Sequence, residues 1–207
     1  MRTLLGPESH FANFFNKLFD ILVLNFLMVV CSLPVITMGA SVTALYHSVN
    51  RMQKNEGGLY RGFFRAFKDN FKQATVLWLV VLVTGALWGF NLIFYSASQI
   101  PIFRTINVLI LVLWAMVAAW IFPLQAKYYN PVKTTLKNAV LCMMAYLPRT
   151  LLMTVLNLVP VVCFLYFGLL GGLELIALLV WFALAAYINL RIMEKPMAQI
   201  EENADLT

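Results

Sequence analysis

Residues 74–97 form an apolar run without one charged side chain, and that stretch limits the chain more than any other feature. As a helix, 24 residues extend about 36 Å at 1.5 Å per residue. A bilayer's hydrocarbon core is about 30 Å thick. A segment of this length and composition is a membrane span, and a spanning backbone of this kind must be helical to satisfy its own amides. A second run, 102–124, is of comparable length and carries one charge, Arg104, near its start.

Composition extends the same conclusion to the rest of the chain. Apolar residues make up 62% and charged residues 12% of 207, where a soluble domain is about half apolar and a quarter charged. A globule of this size could not hide the surplus, so lipid must solvate part of it. Further apolar runs lie at 18–34, 147–167 and 173–190. A weaker one at 35–50 is rich in small residues (Gly39, Ala40, Ser41, Ala44) and ends at His47, Asn50 and Arg51. Its length makes it either a short span packed among other helices or a re-entrant segment. The expected fold is therefore all-α: a single integral membrane domain over 1–207 with about six spans. The short links 98–101 and 168–172 read as tight helical hairpins.

The net charge of +6 does not indicate nucleic acid, because the basic residues flank the apolar runs. Cationic residues collect on the cytosolic side of membrane proteins and lie against anionic headgroups. Segments 51–72 and 127–149 and the C-terminal part hold most of them, whereas the opposite turns hold only Arg104 and Glu174. With six spans the N-terminus, with Arg2 and Lys17, joins the basic side. Both termini are thus expected in the cytoplasm. The N-terminal residues lack an apolar core followed by a small-residue cleavage site, so no signal peptide is expected there.

Two basic amphipathic helices are expected on the cytosolic side, at about 59–72 and 131–146. In the first, Tyr60, Phe63, Phe64, Phe67 and Phe71 recur at helical spacing, as do Arg61, Arg65, Lys68 and Lys72. Aromatics on one face and cations on another suit a helix lying in the membrane interface or pressed into a partner's groove. In the second, Asn130 and Pro131 form a helix start. Val132, Leu136, Ala139, Val140, Met143 and Leu147 form an apolar stripe, with Lys133 and Lys137 off it.

Chemistry-bearing constellations are absent from the sequence. His10 and His47 are far apart, the three cysteines (Cys31, Cys142, Cys163) have no paired spacing, and no phosphate-binding, nucleophile-elbow or zinc-protease pattern occurs. No catalytic, cofactor or metal residue is assigned, and no enzymatic activity is expected. The charges within apolar runs fall near their ends. The deeper polar residues, including Asn25, Asn157 and Asn189, are amides of the kind that join helices in membranes. Gly85 and Gly89 form a GxxxG, which permits close helix approach and leaves self-association open.

The stretch Ser32-Leu33-Pro34-Val35-Ile36-Thr37-Met38-Gly39-Ala40-Ser41, followed by Thr43-Ala44-Leu45-Tyr46, resembles the YesL family of bacterial integral membrane proteins. So do residues 63–74, which include Asn70, and the later Leu136-Lys137-Asn138-Ala139 and Leu147-Pro148-Arg149-Thr150. Pro34, Thr37, Gly39 and Asn70 are the motif positions. The family is largely uncharacterised and supplies no catalytic residue. Its genes typically neighbour carbohydrate ABC importers, glycoside hydrolases and sugar-responsive two-component systems. The resemblance therefore implies an accessory component of oligosaccharide import in the bacterial plasma membrane, with permease subunits as partners. A membrane sensor of sugar-utilisation genes and an independent small-solute permease are the alternatives.

Overall fold

The computed structural model describes residues 10–96, 101–167 and 172–205, with side chains over 15–94, 102–162, 180–199, 201 and 202. The expected turns 98–101 and 168–172 fall largely outside the described residues, as do Arg2 and the side chains of Cys163 and Glu174. Seven α-helices and one 3-10 turn make up the described chain, and no strand occurs in it: α1 (His10–Cys31), the turn Val35–Thr37, α2 (Met38–Gln53), α3 (Leu59–Ser96), α4 (Pro101–Tyr128), α5 (Val132–Ala145), α6 (Leu147–Phe167) and α7 (Gly172–Asp205).

Two helices, Leu59–Phe94 and Ile102–Tyr128, are long and apolar enough to cross a membrane. A third crossing arises if Val132–Ala145 and Leu147–Val162, which meet at 111°, make one broken span. The C-terminal half of α3 is clad in exposed apolar side chains, with Phe90 68% and Ile93 74% exposed. In water such a surface would aggregate.

The expected separation of an interfacial helix at 59–72 from a span at 74–97 does not occur. Both belong to the continuous 38-residue α3. No proline or glycine pair interrupts the stretch between them, so the helical ladder runs through. The aromatic–basic segment is thus a rigid extension of the span. α7 likewise continues to Asp205, well beyond the apolar run that ends at 190. Pro131 itself occupies the cap position of α5, with no side-chain cap from Asn130.

α2 is the least apolar long helix and lies deepest. Ten of its residues are buried, and it packs on α3, α1, α4 and α7. Small residues allow this. A Cβ on Gly39 would sit 2.5 Å from Cβ of Trp78 and collide with the carbonyl oxygen of Ala74, so only glycine permits the contact. The serine and threonine hydroxyls of α2 are satisfied by backbone carbonyls: Ser41 donates to that of Thr37 (3.1 Å), Thr43 to that of Gly39 (2.8 Å) and Ser48 to that of Leu59 on α3 (3.3 Å). Backbone approach and satisfied hydroxyls here stand in for large apolar side chains.

The connection before α2 has a defined depth. Pro34 is extended and ends α1, since proline disfavours helix in the residue before it. Oγ1 of Thr37 donates to the carbonyls of Cys31 (2.6 Å) and Pro34 (2.7 Å), which ties the turn. Nε1 of Trp78 donates to the carbonyl of Val35 at 2.7 Å, so the turn lies level with the middle of α3. Beyond Trp78, α3 continues to Ser96, about 27 Å at 1.5 Å per residue. Leu33, Val35 and Ile36 at the tip are all exposed.

Candidate docking surface

The first half of α3 has two contrasting faces. Leu59, Phe63, Ala66, Asn70 and Ala74 are buried at spacings of three and four, the stripe of a helix seated on its neighbours. Arg61, Phe64, Arg65, Lys68, Phe71 and Lys72 are exposed. Phe63, expected with the interface aromatics, is fully buried and leaves that face. Phe67 is half-buried and packs on the ring of Phe71 at 5.6 Å. Arg65 reaches Asp69 at 3.6 Å, an exposed pair of small energetic weight. Arg61, Lys68 and Lys72 have no ion-pair partner among the described residues.

A buried amide network holds this ridge in place. Gln125 of α4 is fully buried. Its Nε2 donates to Oε1 of Gln73 (2.8 Å) and to Oδ1 of Asn70 (3.3 Å), and its Oε1 accepts from the hydroxyl of Thr135 on α5 (2.7 Å). Asn70 also donates from Nδ2 to the carbonyl of Ala66 at 3.1 Å. One side chain thus joins α3, α4 and α5 where the charged and apolar parts of the molecule meet. Of the motif positions, Asn70 belongs to this network, Pro34 and Thr37 shape the turn before α2, and Gly39 seats α2 on α3. Gln73, Gln125 and Thr135 went unnoticed in the sequence. The available signal was a row of small residues on α5, Thr135, Ala139 and Cys142, all buried.

α5 presents Lys133 and Lys137 outward. Its buried face is not centred on the expected stripe, because Val140 and Leu147 are 41% and 48% exposed. The C-terminal part of α7 returns over this side. Nζ of Lys127 lies 2.8 Å from Oε1 of Glu201, which also accepts from the hydroxyl of Tyr128 (3.2 Å), and Tyr146 donates to Oε1 of Gln199 (3.0 Å). The hydrogen bond from Lys127 holds the Glu201 carboxyl below the usual carboxylate range. Gly85 is reserved for contact inside the chain, since its Cβ would meet the ring of Trp114 at 2.6 Å, whereas Gly89 faces open space. Among the described residues no cluster of three metal-ligating side chains occurs.

Residues 21–92, from α1 through most of α3, are similar to a family described as a protein of unknown function, DUF624. The matched stretch contains the turn, α2 and the exposed ridge, together with Pro34, Thr37, Gly39 and Asn70. No curated protein matches the chain, and no solved structure does.

Proposed function

We propose that the chain is an accessory, non-catalytic membrane subunit of a carbohydrate ABC import system, and that the ridge of α3 docks on the cytosolic side of a permease subunit. The carrying observation is the row Arg61, Phe64, Arg65, Lys68, Phe71 and Lys72, exposed on a helix whose other face is fixed by Phe63 and the Gln125 network. A rigid surface with unpaired cations and exposed rings keeps low the ordering cost of association, and aromatics and arginine are the residues enriched at interface centres. The carbohydrate context rests on the family resemblance.

The topology that accompanies this reading has four crossings, by α3, α4, α6 and α7, in the bacterial plasma membrane. The α1–α2 hairpin enters the bilayer from the cytosolic side and returns. A re-entrant hairpin leaves both termini in the cytoplasm, as six spans would, so the cationic segments keep the same side. The depth of the turn supports it: Val35 is level with Trp78, and most of the charge-free part of α3 lies beyond.

Co-expression with candidate permeases, followed by purification in mild detergent, tests the docking. Permeases should copurify with the wild type and be lost at least tenfold with Arg65→Glu/Lys68→Glu/Lys72→Glu. Absence of permeases, or equal recovery with the variant, refutes it. For the topology, Leu33→Cys in a background free of other cysteines should resist an impermeant maleimide from both sides of the membrane. Labelling from outside would establish a full span instead.

A further inference from the structure

A cavity of about 320 Å³ lies between α1, α2, α3, α4, α6 and α7, away from the docking ridge. Trp78, Trp114 and Trp181 line it, with Ala115 and Ala118 of α4 leaving the space open. Every indole N–H is already engaged elsewhere: Trp78 donates to the carbonyl of Val35, Trp114 to Oγ1 of Thr84 (2.9 Å) and Trp181 to the carbonyl of Leu156 (3.1 Å). The rings therefore offer only carbon to the cavity. Thr154, also in the lining, donates its hydroxyl to the carbonyl of Thr150. An apolar cavity of about 150 Å³ stays dry and accepts small hydrocarbons. One twice that size, set among lipid-facing helices, has room for a longer chain. A polar solute would lose its hydration there without replacement.

One wall has hydrogen-bonding capacity left over. Nδ2 of Asn189 donates to the hydroxyl of Tyr46 and to Oδ1 of Asn157, both at 2.9 Å. Tyr46 and Asn157 line the cavity. Tyr46 and Asn157 both accept from Asn189 in these bonds, which leaves the Tyr46 hydroxyl proton and the Asn157 amide hydrogens to donate; Oδ1 of the fully buried Asn189 has no partner among the described residues. Buried polar groups are almost always satisfied; Asn189 does not line the cavity, so the donors that a ligand atom could meet there are those of Tyr46 and Asn157. Two free donors at the edge of a hydrocarbon-like space call for an oxygen acceptor on an apolar chain.

We propose that this cavity binds one acyl chain, with the chain's carbonyl oxygen accepting from Tyr46 and Asn157. The chain would come from a free fatty acid or from the ester-linked tail of a membrane lipid.

Bromine quenches tryptophan on contact, and three of the five tryptophans line the cavity. The purified protein in detergent is titrated with 9,10-dibromostearate. In nanodiscs it is titrated with brominated phosphatidylcholine. Saturable quenching that levels off near half of the fluorescence is expected in at least one arm. Saturation with the fatty acid alone assigns a free-acid site, and saturation with the phospholipid assigns a membrane-lipid tail. Ala118→Phe, which fills the space, should remove the saturable part, and the smaller filler Ala115→Leu should weaken it at least fivefold. Asn157→Leu should raise the half-saturating concentration of dibromostearate about tenfold while leaving that of a dibromoalkane of equal length within twofold. Gel filtration and helical circular dichroism identify which variants are folded. The proposal is overturned if quenching rises in proportion to brominated lipid without saturating in either arm. It is equally overturned if folded filler variants quench like the wild type, or if Asn157→Leu shifts acid and alkane alike.

Discussion

Replacing Gln125 by leucine tests the buried network that holds the docking ridge. The side chain is fully buried, and three hydrogen bonds end on it. Leucine is of similar size, so little cavity forms and the loss falls on polar satisfaction. The Thr135 hydroxyl, 1% exposed, loses its acceptor, and Oδ1 of Asn70, 5% exposed, loses its side-chain donor. A buried group left unpaired costs about 1–3 kcal/mol, and the two together set a range of about 2–6 kcal/mol. Membrane hydrogen bonds measured pairwise average only about 0.6 kcal/mol, because the unfolded chain in lipid finds other partners. The expected loss therefore lies near the lower end, about 2 kcal/mol. The assay is reversible unfolding in mixed detergent micelles of the wild type, Gln125→Leu, Thr135→Val and the double variant. Thr135→Val removes the orphaned hydroxyl, so the double variant should recover part of the loss, with a coupling of about 0.5–1.5 kcal/mol. A loss under about 0.5 kcal/mol for Gln125→Leu would mean that the network carries no such weight. Strict additivity would mean that the Gln125–Thr135 bond is not part of it.

Gly39→Ala should lower the thermal midpoint and folded yield sharply, because the new methyl meets backbone. Gly89→Ala, facing open space, should leave both within error or raise them slightly through helix propensity. Pro160 cannot donate to the carbonyl of Leu156, and the Trp181 indole takes that place. Trp181→Phe should therefore cost about 1–2 kcal/mol, and Pro160→Ala should suppress part of that loss in the double variant, read by the same unfolding assay. The carboxyl of Glu201 is held below its ordinary range by Lys127 and Tyr128. Its contribution is present above the normal carboxylate range and fades as the pH falls through the lowered folded value. Because Glu201 is half exposed, the effect should stay below about 1 kcal/mol. Glu201→Gln should flatten the acid limb of the stability profile and leave its neutral-to-alkaline part parallel to the wild type.

Helical class, membrane residence and the principal span were legible because each rests on a one-dimensional sum. Twenty-four uncharged residues in series carry their own transfer free energy wherever the rest of the chain lies. The exposed cations were legible for the same reason: Arg61, Arg65, Lys68, Lys72, Lys133 and Lys137 could not be placed in lipid. Amphipathic spacing also located the aromatic–basic segment, although it gave no means of separating Phe63 from Phe64, neighbours that the helix turns about 100° apart. It gave no warning that the segment runs unbroken into the span.

The remaining decisions depended on partners distant in sequence. α2 has too little apolar side chain for hydropathy to mark it as the deepest helix, and its burial comes from backbone contact at Gly39 and from hydroxyls bonded at close range. Gln125 resembles an amide at a membrane boundary until Asn70, Gln73 and Thr135 arrive from two other helices. The depth of the turn before α2 is set by a single bond from Trp78. Transfer free energy adds residue by residue and can be read along the chain. Close approach and polar satisfaction are properties of pairs, and the tertiary structure alone brings those pairs together.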